Sequence, residues 1–298
     1  MKRVLVLLNP KSGLPRSFGV LRRALDAHWD VKGVQLYYQF SQSKEDGTAK
    51  AERAVAEGVD TILVAGGDGT INTIGRVLVG TRVALGAIPF GSGNGFARHF
   101  NIPLAIDKAV AALATGSVRP IDVGRVDGQP TLVTCSMAWD AAIARSFEKY
   151  PVRGILPYIF AGVQEYFDYR VQPMTVRIDG GEPFVLQDPA VFTVANLTQY
   201  GGGVLVAPLA QADDGYLELV VVLRRDLPWV LAQVPRLFDG SLNDMPEVLH
   251  RRFKSLTVER PQADAIQIDG EFIPAGRTVH VDVQPAALNV LVPEAAAR

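Results

Sequence analysis

A carboxylate stands among three glycines in the segment Gly66-Gly67-Asp68-Gly69-Thr70. Glycine lets backbone N–H groups approach a phosphate closely, and the start of a following helix adds partial positive charge. Asp68 would repel a bare phosphate, so a positive ion should lie between the two groups. A Mg²⁺ ion, or a polar network that reaches one, would fill that role. The segment therefore predicts a site for a metal-bound nucleotide.

Two further glycine loops follow strand-like runs, namely Asn9-Pro10-Lys11-Ser12-Gly13 and Pro89-Phe90-Gly91-Ser92-Gly93-Asn94-Gly95. One such loop is often only a tight turn. In a parallel sheet all three lie at the carboxyl edge, where open α/β folds bind their ligands, and this favours a phosphate-binding site. The sequence contains no G-x-x-x-x-G-K-[ST], G-x-G-x-x-G or G-x-S-x-G motif. Its four histidines are scattered and form no metal or acid–base cluster.

The loops are carried by alternating strand-like and helix-like segments in the first 118 residues. The strands are continuous Val/Ile/Leu runs, which are typical of parallel strands covered on both faces, and the alternation predicts an α/β layer architecture. The predicted order begins with a strand and alternates strictly: Arg3–Leu8, Ser17–Trp29, Val34–Tyr38, Gly47–Glu57, Thr61–Val64, Thr70–Val79 and Val83–Ile88.

The pattern changes near Arg119, where strand-like segments begin to follow one another. Turn dipeptides such as Asp127-Gly128 separate them, and this is typical of antiparallel hairpins. We therefore predict two domains, a nucleotide-binding α/β domain over 1–118 and a mostly antiparallel β domain over 119–298, with helical insertions near 145–169 and 226–250. The predicted strands of the second domain are Ile121–Val126, Thr131–Met137, Met174–Ile178, Ala190–Asn196, Leu217–Leu223, Phe253–Glu259, Ala265–Ile268, Thr278–Val283 and Leu288–Val292.

The composition argues against a nucleic-acid-binding, a disulfide-bonded or a membrane-spanning protein. The 298 residues are 48% hydrophobic and carry a net charge of −1, and without a basic excess we expect no nucleic-acid partner. The single cysteine, Cys135, excludes an internal disulfide and favours the cytoplasm. The apolar run Val4–Leu8 is too short for a signal peptide, and no run approaches the roughly 20 apolar residues that span a bilayer. Any membrane contact is therefore expected to be peripheral, at the inner face of the membrane.

Five motifs, in this order, resemble those of the diacylglycerol kinase and sphingosine kinase superfamily of lipid kinases. The resemblance covers nearly the whole chain. G-G-D-G-T alone is shared with NAD kinases and phosphofructokinases, and the last two motifs would pass for plain hairpin turns if they stood alone. The motifs are N-P-x-S-G at Asn9–Gly13, G-G-D-G-T at Gly66–Thr70, the third loop at Pro89–Arg98, D-D-G-x-L at Asp213–Leu217, and D-G-E at Asp269–Glu271.

The resemblance implies a two-domain fold that binds ATP in the cleft between its domains. A hydroxyl residue before the second helix is part of the implied nucleotide site, with Ser43 as the best match and Ser41 as the alternative. The other implied nucleotide-binding residues are Asn9, Lys11, Gly66, Gly67, Asp68, Gly69, Thr70, Ile71, Asn72, Ser92 and Asn94.

The resemblance also implies roles in catalysis and in metal binding. The family's proton acceptor maps to Glu271, with Asp68 on the metal side and Asp269 orienting Glu271 or joining the polar network. Which of Glu271 and Asp68 is the base stays open. The family's structural Mg²⁺ site maps to Asp214, with carbonyl oxygens expected from Gln211 and Tyr216.

One position departs from the family pattern. Diacylglycerol kinases usually carry aspartate directly after the asparagine of the third loop, and this chain has Gly95 there. A small residue at this position resembles the sphingosine kinase branch. The implied reaction is transfer of the γ-phosphoryl group of ATP, with Mg²⁺, to a hydroxyl of diacylglycerol or of a sphingoid-like lipid taken from a membrane surface, in phospholipid biosynthesis.

The segment Tyr150–Tyr169 carries an apolar stripe at helical spacing, formed by Leu156, Ile159, Phe160, Val163 and Phe167. A stripe of this kind is usually core. Basic and aromatic residues precede it, which suits a peripheral enzyme that draws an acyl chain from a bilayer. Both interpretations stay open. The preceding residues are Arg145, Phe147, Lys149, Tyr150 and Arg153.

Two other functions are weighed against a lipid kinase. An NAD kinase would share Gly66–Thr70, but it gives no reason for the Asn9–Gly13 motif, and its water-soluble substrate does not need the apolar stripe. A nucleotide-sensing or lipid-binding protein that has lost catalysis would not need Asp68 and Glu271 together.

Overall fold

The computed structural model describes residues 1–12, 18–148 and 155–294. Its contacts divide the chain into two compact units, Met1–Ile121 with Ala286–Arg298, and Asp122–Pro285. The chain from Ala286 onward thus belongs to the first unit, whereas the sequence analysis placed all of 119–298 in the second domain. The physical reason is strand pairing, because Val290 pairs in parallel with Leu85 of the first unit.

The first unit is an α/β layer built on a parallel sheet of β1 (Lys2–Leu8), β2 (Val34–Phe40), β3 (Thr61–Gly66) and β4 (Ala84–Pro89), in the order β2-β1-β3-β4. Every residue of β3 and β4 is buried, as expected for strands that are covered on both faces. Its elements, with the strand that leads into the second unit, are β1 Lys2–Leu8, α1 Phe18–His28, β2 Val34–Phe40, α2 Lys44–Ala56, β3 Thr61–Gly66, α3 Asp68–Leu78, β4 Ala84–Pro89, α4 Gly95–His99, α5 Ile106–Ala114 and β5 Ser117–Val126.

Local sequence explains how the helices of this unit begin and which face they bury. Ser43 caps α2 by accepting the Asp46 N–H at 3.2 Å, which satisfies one of the free donors of the first turn. In α3, the side chains of Ile71, Ile74 and Leu78 are buried, and their spacing of three and four residues forms one apolar stripe against the sheet.

The second unit is mostly antiparallel β structure, with two larger sheets and a two-stranded sheet formed by Gln199–Gly201 and Val204–Leu205. One larger sheet has the order β14 (Val248–Phe253), β13 (Leu217–Leu223), β10 (Pro189–Ala195), β7 (Thr134–Ser136), β16 (Asp264–Ile268) and β17 (Glu271–Ala275). In the other, β15 (Ser255–Glu259) pairs with β8 (Met174–Ile178) and with the first part of β18 (Thr278–Val292). A shared core contains Phe192 and Phe253 from the first sheet and Val258 and Val279 from the second.

These pairings confirm the predicted fold class, an α/β domain with a parallel sheet and a mostly antiparallel β domain. The elements of the second unit are β6 Gln129–Thr131, β7 Thr134–Ser136, α6 Trp139–Glu148, α7 Ile155–Asp168, β8 Met174–Ile178, β9 Phe184–Leu186, β10 Pro189–Ala195, β11 Gln199–Gly201, β12 Val204–Leu205, β13 Leu217–Leu223, α8 Leu227–Gln233, α9 Arg236–Asp239, β14 Val248–Phe253, β15 Ser255–Glu259, β16 Asp264–Ile268, β17 Glu271–Ala275 and β18 Thr278–Val292, the last of which ends in the first unit.

Candidate active site

The loops that follow β1, β3 and β4 come together at the carboxyl edge of the parallel sheet. The Asn9 amide donates to the Thr70 hydroxyl at 2.8 Å and so joins the first loop to the second. The Phe90 N–H donates to the Gly66 carbonyl at 2.9 Å and joins the second loop to the third. The structure thus unites the three glycine loops that the sequence analysis singled out. Gly13 of the first loop lies outside the described residues.

Glycine is required where the second and third loops touch. A Cβ atom on Gly91 would lie 2.8 Å from the Cα of Gly67, which is closer than carbon atoms can approach without displacing the backbone. This contact fixes the distance between the two loops. Any side chain at Gly91 would push the third loop away from the start of α3.

Asp68 is the first residue of α3 and ties the same two loops together. Its Oδ1 accepts the Phe96 N–H at 3.2 Å. Burial raises the pKa of this half-buried carboxyl, and hydrogen bonds from the backbone of the third loop act in the opposite direction. The negative carboxylate therefore lies among main-chain N–H groups, which carry partial positive charge. A metal-bound anion could pair its metal with the carboxylate and its anionic oxygens with the N–H groups.

Three predicted nucleotide-binding residues use their side chains within the protein. Asn94, at a φ of 51°, receives the Gly91 N–H at 2.9 Å and donates to the Gly91 carbonyl at 2.7 Å, so its amide closes the third loop. The side chains of Ile71 and Asn72 are buried in α3. The side chains of these three residues are therefore not available to a nucleotide. They can contribute to its binding only by shaping the loop or through their backbone groups.

Other predicted nucleotide-binding residues are accessible. Lys11 and Ser92 are exposed, and the Lys11 N–H donates to the Asn9 side chain at 3.0 Å, which shapes the first loop. Ser43 is exposed at the start of α2, whereas Ser41 is buried and its hydroxyl donates to the Leu8 carbonyl at 3.3 Å. Of the two hydroxyl candidates, Ser43 is the one that a ligand can reach.

Glu271 lies directly after a two-residue hairpin turn of the second unit. The turn residues Asp269 and Gly270 have φ values of 51° and 88°, and Ile268 pairs with Glu271 across the turn. Two successive positive φ values are typical of the tight turns that match strand twist. Glu271 is therefore held at the tip of a rigid hairpin, and its side chain is only partly buried.

The Asp269 carboxylate is buried and anchors this hairpin. It accepts hydrogen bonds from the Thr131 hydroxyl and from the N–H groups of Leu132, Val133 and Thr134, at 2.8–3.2 Å. With four donors directed at it, this carboxylate is poorly suited to take up a substrate proton. Its geometry supports the role of a positioning residue for Glu271.

The predicted structural Mg²⁺ position at Asp214 is occupied by protein contacts. Its Oδ1 accepts the Tyr216 N–H at 3.0 Å, and its Oδ2 forms an ion pair with Arg252. The Arg252 guanidinium also stacks over the Tyr216 ring at 4.4 Å. Because Arg252 neutralises the Asp214 carboxylate in this structure, a Mg²⁺ ion at Asp214 would have to displace the Arg252 guanidinium.

The residues that the structure describes offer no alternative cluster of metal-binding side chains. Within residues 1–12, 18–148 and 155–294, no set of three or more His, Cys, Asp and Glu side chains gathers around one point. Gln211 is exposed, and its expected contribution was a carbonyl oxygen. The structural Mg²⁺ site at Gln211, Asp214 and Tyr216 stays a prediction.

Helix α7 presents part of the predicted apolar stripe to solvent. Phe160 is 73% and Phe167 is 71% exposed, whereas Ala161 is fully buried and Val163 lines an apolar cavity. Of the basic residues before the stripe, Arg145 is exposed and stacks over Phe272 at 5.1 Å. Lys149, Tyr150 and Arg153 lie outside the described residues, as do the side chains of Phe147, Leu156 and Ile159.

Sequence reasoning missed a buried polar cluster beside that cavity. It contains Asp140, Thr193 and Tyr200, and the Thr193 hydroxyl donates to Asp140 at 2.6 Å. Burial raises the pKa of Asp140 to about 6, although hydrogen bonds to the carboxylate oppose the shift. Asp140 and Thr193 are 53 residues apart in the chain, so no local spacing could have pointed to the cluster.

Comparison with known proteins places both units in described families. Residues 3–126 match the diacylglycerol kinase catalytic domain, and residues 133–292 match the YegS C-terminal NAD kinase beta sandwich-like domain. "Diacylglycerol kinase" of Mycobacterium tuberculosis (strain ATCC 25618 / H37Rv) is 30% identical over 302 aligned residues, covering 98% of this chain and 95% of that protein. "Probable lipid kinase YegS" of Salmonella paratyphi A is 29% identical and covers 97% of this chain and 95% of that protein.

A solved structure of a diacylglycerol kinase from Bacillus anthracis str. Sterne supports the fold. It has a TM-score of 0.75 and 21% identity, over 99% of this chain and 98% of that one. Among the helices that the structure describes, none is long and apolar enough to cross a membrane.

The two domain matches follow one another along the chain, and the mycobacterial relative aligns with almost its whole length. The three glycine loops lie within the first match, and the hairpin with Glu271 lies within the second. The chain belongs to the diacylglycerol kinase family of lipid kinases, which are phosphotransferases.

Proposed function

We propose that the protein is an ATP- and Mg²⁺-dependent kinase that transfers the γ-phosphoryl group to the hydroxyl of a membrane lipid. The observation that carries the proposal is the position of Asp68 at the start of α3, where its carboxylate bridges the second and third glycine loops. A helix start surrounded by glycine N–H groups suits the phosphates of a nucleotide.

In this proposal, different residues of the first unit have different roles in binding the nucleotide. Gly66, Gly67 and Gly69 allow the backbone to approach the phosphates, and the exposed ammonium group of Lys11 supplies positive charge. Ser43 and Ser92 are exposed, and in this proposal their hydroxyls donate hydrogen bonds to the nucleotide.

Mg²⁺ bound to ATP would neutralise phosphate charge during transfer. The residue best suited to lie near this Mg²⁺ ion is Asp68, because its carboxylate is largely removed from solvent and surrounded by backbone N–H groups. The protein's own contribution is then mainly positioning and charge balance. In the transfer itself, the lipid oxygen bonds to the γ-phosphorus, the bond from that phosphorus to the ADP oxygen breaks, and Glu271 accepts the hydroxyl proton.

The lipid substrate is proposed to come from a membrane surface at the cytoplasmic side. The exposed rings of Phe160 and Phe167 on α7 support this, because large apolar side chains on one helix face lower the free energy of contact with a bilayer. No nucleic acid is proposed as a partner, since the chain has 30 basic and 31 acidic residues.

Replacing Phe160 or Phe167 with serine is expected to raise the apparent KM for lipid in mixed micelles by about tenfold, since burying a phenylalanine side chain contributes roughly 1.5–3 kcal/mol. The melting temperature should stay close to wild type, because both rings are more than two-thirds exposed. Leu209→Ser, which removes a 62% exposed apolar side chain outside α7, serves as the control. A loss of stability of about 3–5 kcal/mol would show instead that the rings are core.

The proposed function is tested by incubating the protein with labelled ATP and a total lipid extract and identifying the product by mass. A phosphorylated lipid is expected, formed only when lipid is present and only with Mg²⁺. Phosphorylation of NAD without lipid would favour an NAD kinase. Nucleotide binding without any turnover would indicate a protein that has lost catalysis.

A further inference from the structure

Leu132 and Val133, between β6 and β7, hold the Asp269 carboxylate that anchors the Glu271 hairpin. Both residues are buried, and their N–H groups donate to Asp269 at 2.9 and 2.8 Å. Their carbonyl oxygens need donors of their own, because an unpaired buried backbone group destabilises the folded state. The residue that supplies those donors therefore helps to fix where Asp269, and with it the hairpin, can lie.

Asn196, directly after β10, supplies these donors. Its amide Nδ2 donates to the Leu132 carbonyl at 3.0 Å, and its main-chain N–H donates to the Val133 carbonyl at 2.9 Å. Each of these two residues is thus bound through its N–H group by Asp269 and through its carbonyl by Asn196. Asn196 is only 2% exposed, so solvent water has little access to replace its side chain as a donor.

The same amide nitrogen is also linked to the D-D-G-x-L motif. Its second contact is the Asp122 carbonyl at 2.8 Å. The Asp122 carboxylate in turn accepts the N–H of Gly215, the turn glycine of that motif, at 2.6 Å. One amide group therefore joins the two carboxylate motifs of the second unit, the Asp213–Leu217 turn through Asp122 and the Glu271 hairpin through the backbone that holds its anchor.

The amide oxygen of Asn196 indicates that the side chain acts through its donors. In the part of the chain that the structure describes, Oδ1 meets no donor, and a buried acceptor without a partner is unfavourable. Both contacts of Nδ2 are carbonyl oxygens, which can only accept, so the amide cannot turn over without losing them. A side chain without donors would leave two buried carbonyls short of a hydrogen bond.

We propose that Asn196 is a positioning residue for phosphoryl transfer and that it acts on Glu271 through Asp269. The proposal rests on the proposed function and adds to it a residue that does not touch the substrate. Asn196 holds the carbonyls of Leu132 and Val133, and their N–H groups hold the Asp269 carboxylate. Asp269 lies two residues before Glu271 in a tight turn, so a displaced anchor displaces the proton acceptor.

Asn196→Ala is expected to lower kcat by about 10–10²-fold, because misplacing a catalytic group by about 1 Å can reduce the rate by about 10²-fold. ATP affinity and the KM for lipid in mixed micelles should stay near wild type, since the defect lies in the position of the base. Gln199→Ala removes another buried amide, in β11, and should keep the wild-type kcat. An equal loss of kcat in this control would overturn the proposal.

Combining Asn196→Ala with Glu271→Gln separates positioning from general damage to the fold. If Asn196 acts through Glu271, its loss has little left to affect once the carboxylate is gone. The double variant should then be about as slow as Glu271→Gln alone, because residues that act as one unit show non-additive losses. Independent damage would instead multiply the two losses and would overturn the proposal.

Hydrogen exchange tests the structural link without any turnover. In Asn196→Ala we expect the N–H groups of Leu132, Val133 and Asp269 to exchange faster than in wild type, since the hydrogen-bonded chain that protects them opens more often. The N–H groups of β1 in the first unit should exchange as in wild type, which would show that the variant is folded. Unchanged exchange at all three positions would overturn the link.

A second variant covers a failure to fold. Asn196→Ser keeps a hydroxyl donor in a smaller side chain and replaces Asn196→Ala in each comparison if the alanine variant does not fold. Failure of both to fold would overturn the positioning role, because Asn196 would then stabilise the whole unit. Failure of the proposed kinase function would appear in the wild-type protein, as no lipid phosphorylation with labelled ATP, while the difference in hydrogen exchange persists.

Discussion

Glu271→Gln is expected to lower kcat by about 10²–10⁴-fold and to leave ATP affinity near wild type. A lipid hydroxyl is a poor nucleophile at neutral pH, so its proton must leave as the oxygen attacks phosphorus, and a positioned general base contributes about this factor. Glutamine keeps the shape and hydrogen bonding of the side chain and removes the basic oxygen. Single-turnover kinetics and nucleotide binding, measured on the same preparation, would separate the two effects.

The structure supports Glu271 over the neighbouring carboxylate for this role. Asp269 is surrounded by four donors from residues 131–134, whereas Glu271 begins β17 at the end of a tight turn. Asp269→Asn should disturb folding as well as turnover, because an amide cannot accept all of these hydrogen bonds. A loss of stability in Asp269→Asn and not in Glu271→Gln would distinguish the anchoring residue from the proton acceptor.

Glu259→Gln provides a matched control for the change of charge. Glu259 is exposed at the end of β15 in the same unit, and its replacement should leave kcat unchanged. If Glu271→Gln lost ATP binding and kept kcat, Glu271 would belong to the nucleotide site. Asp68 would then be the preferred base.

The parts of the fold that depend on local sequence were predictable. The predicted strand Arg3–Leu8, with its apolar run Val4–Leu8, became β1. Asp269-Gly270 became a tight turn. Both patterns encode backbone geometry within a few residues. The glycine loops could likewise be placed at one sheet edge, since successive parallel strands end on the same side.

Long-range pairing explains where the predictions failed. The segment Val248–Phe253 was partly assigned to a helical insertion, yet it forms β14 because its backbone pairs with β13, as in Val220 with His250. Thr278–Val283 and Leu288–Val292 were predicted as two strands and form the single strand β18. The positive φ of 50° at Ala286 occurs within that strand, between the two predicted segments.

In the candidate site, too, the features set by local sequence could be predicted and those set by long-range packing could not. Asp68 and its glycines were visible as a motif, but the fact that Asn94 closes its own loop depends on side-chain orientation. The ion pair of Asp214 with Arg252 joins residues 38 positions apart, and the hydrogen bond of Thr193 to Asp140 joins residues 53 positions apart. Such features follow from packing and leave no periodic signal in the chain.

Asp68→Asn is expected to reduce turnover by about 10²–10³-fold, the usual effect of removing one preorganised electrostatic group from an active site. The change removes the negative charge that stands beside the proposed Mg²⁺–ATP site. It hardly alters shape, and the amide oxygen can still accept the Phe96 N–H that Asp68 Oδ1 now receives at 3.2 Å. The second and third loops should therefore stay joined while the chemistry is lost.

Stability provides an independent check on the same variant. Burial raises the pKa of Asp68 in the folded protein, so the ionised carboxylate is less favourable in the folded than in the unfolded state. Its contribution to stability is most favourable below the unfolded pKa and is lost as pH rises through the folded pKa. Asp68→Asn should thus be as stable as wild type or slightly more stable at neutral pH, and this advantage should shrink in acid, as measured by thermal melting across pH.

Asp107→Asn is the matched control, because Asp107 is an exposed acid in the first turn of α5 in the same unit. It should alter neither turnover nor the pH dependence of melting beyond the small effect of a helix-end charge. Near-normal turnover of Asp68→Asn at saturating Mg²⁺ and ATP would exclude Asp68 from the metal–nucleotide site. Its carboxylate would then act only as the link between two glycine loops, a function that asparagine can also perform.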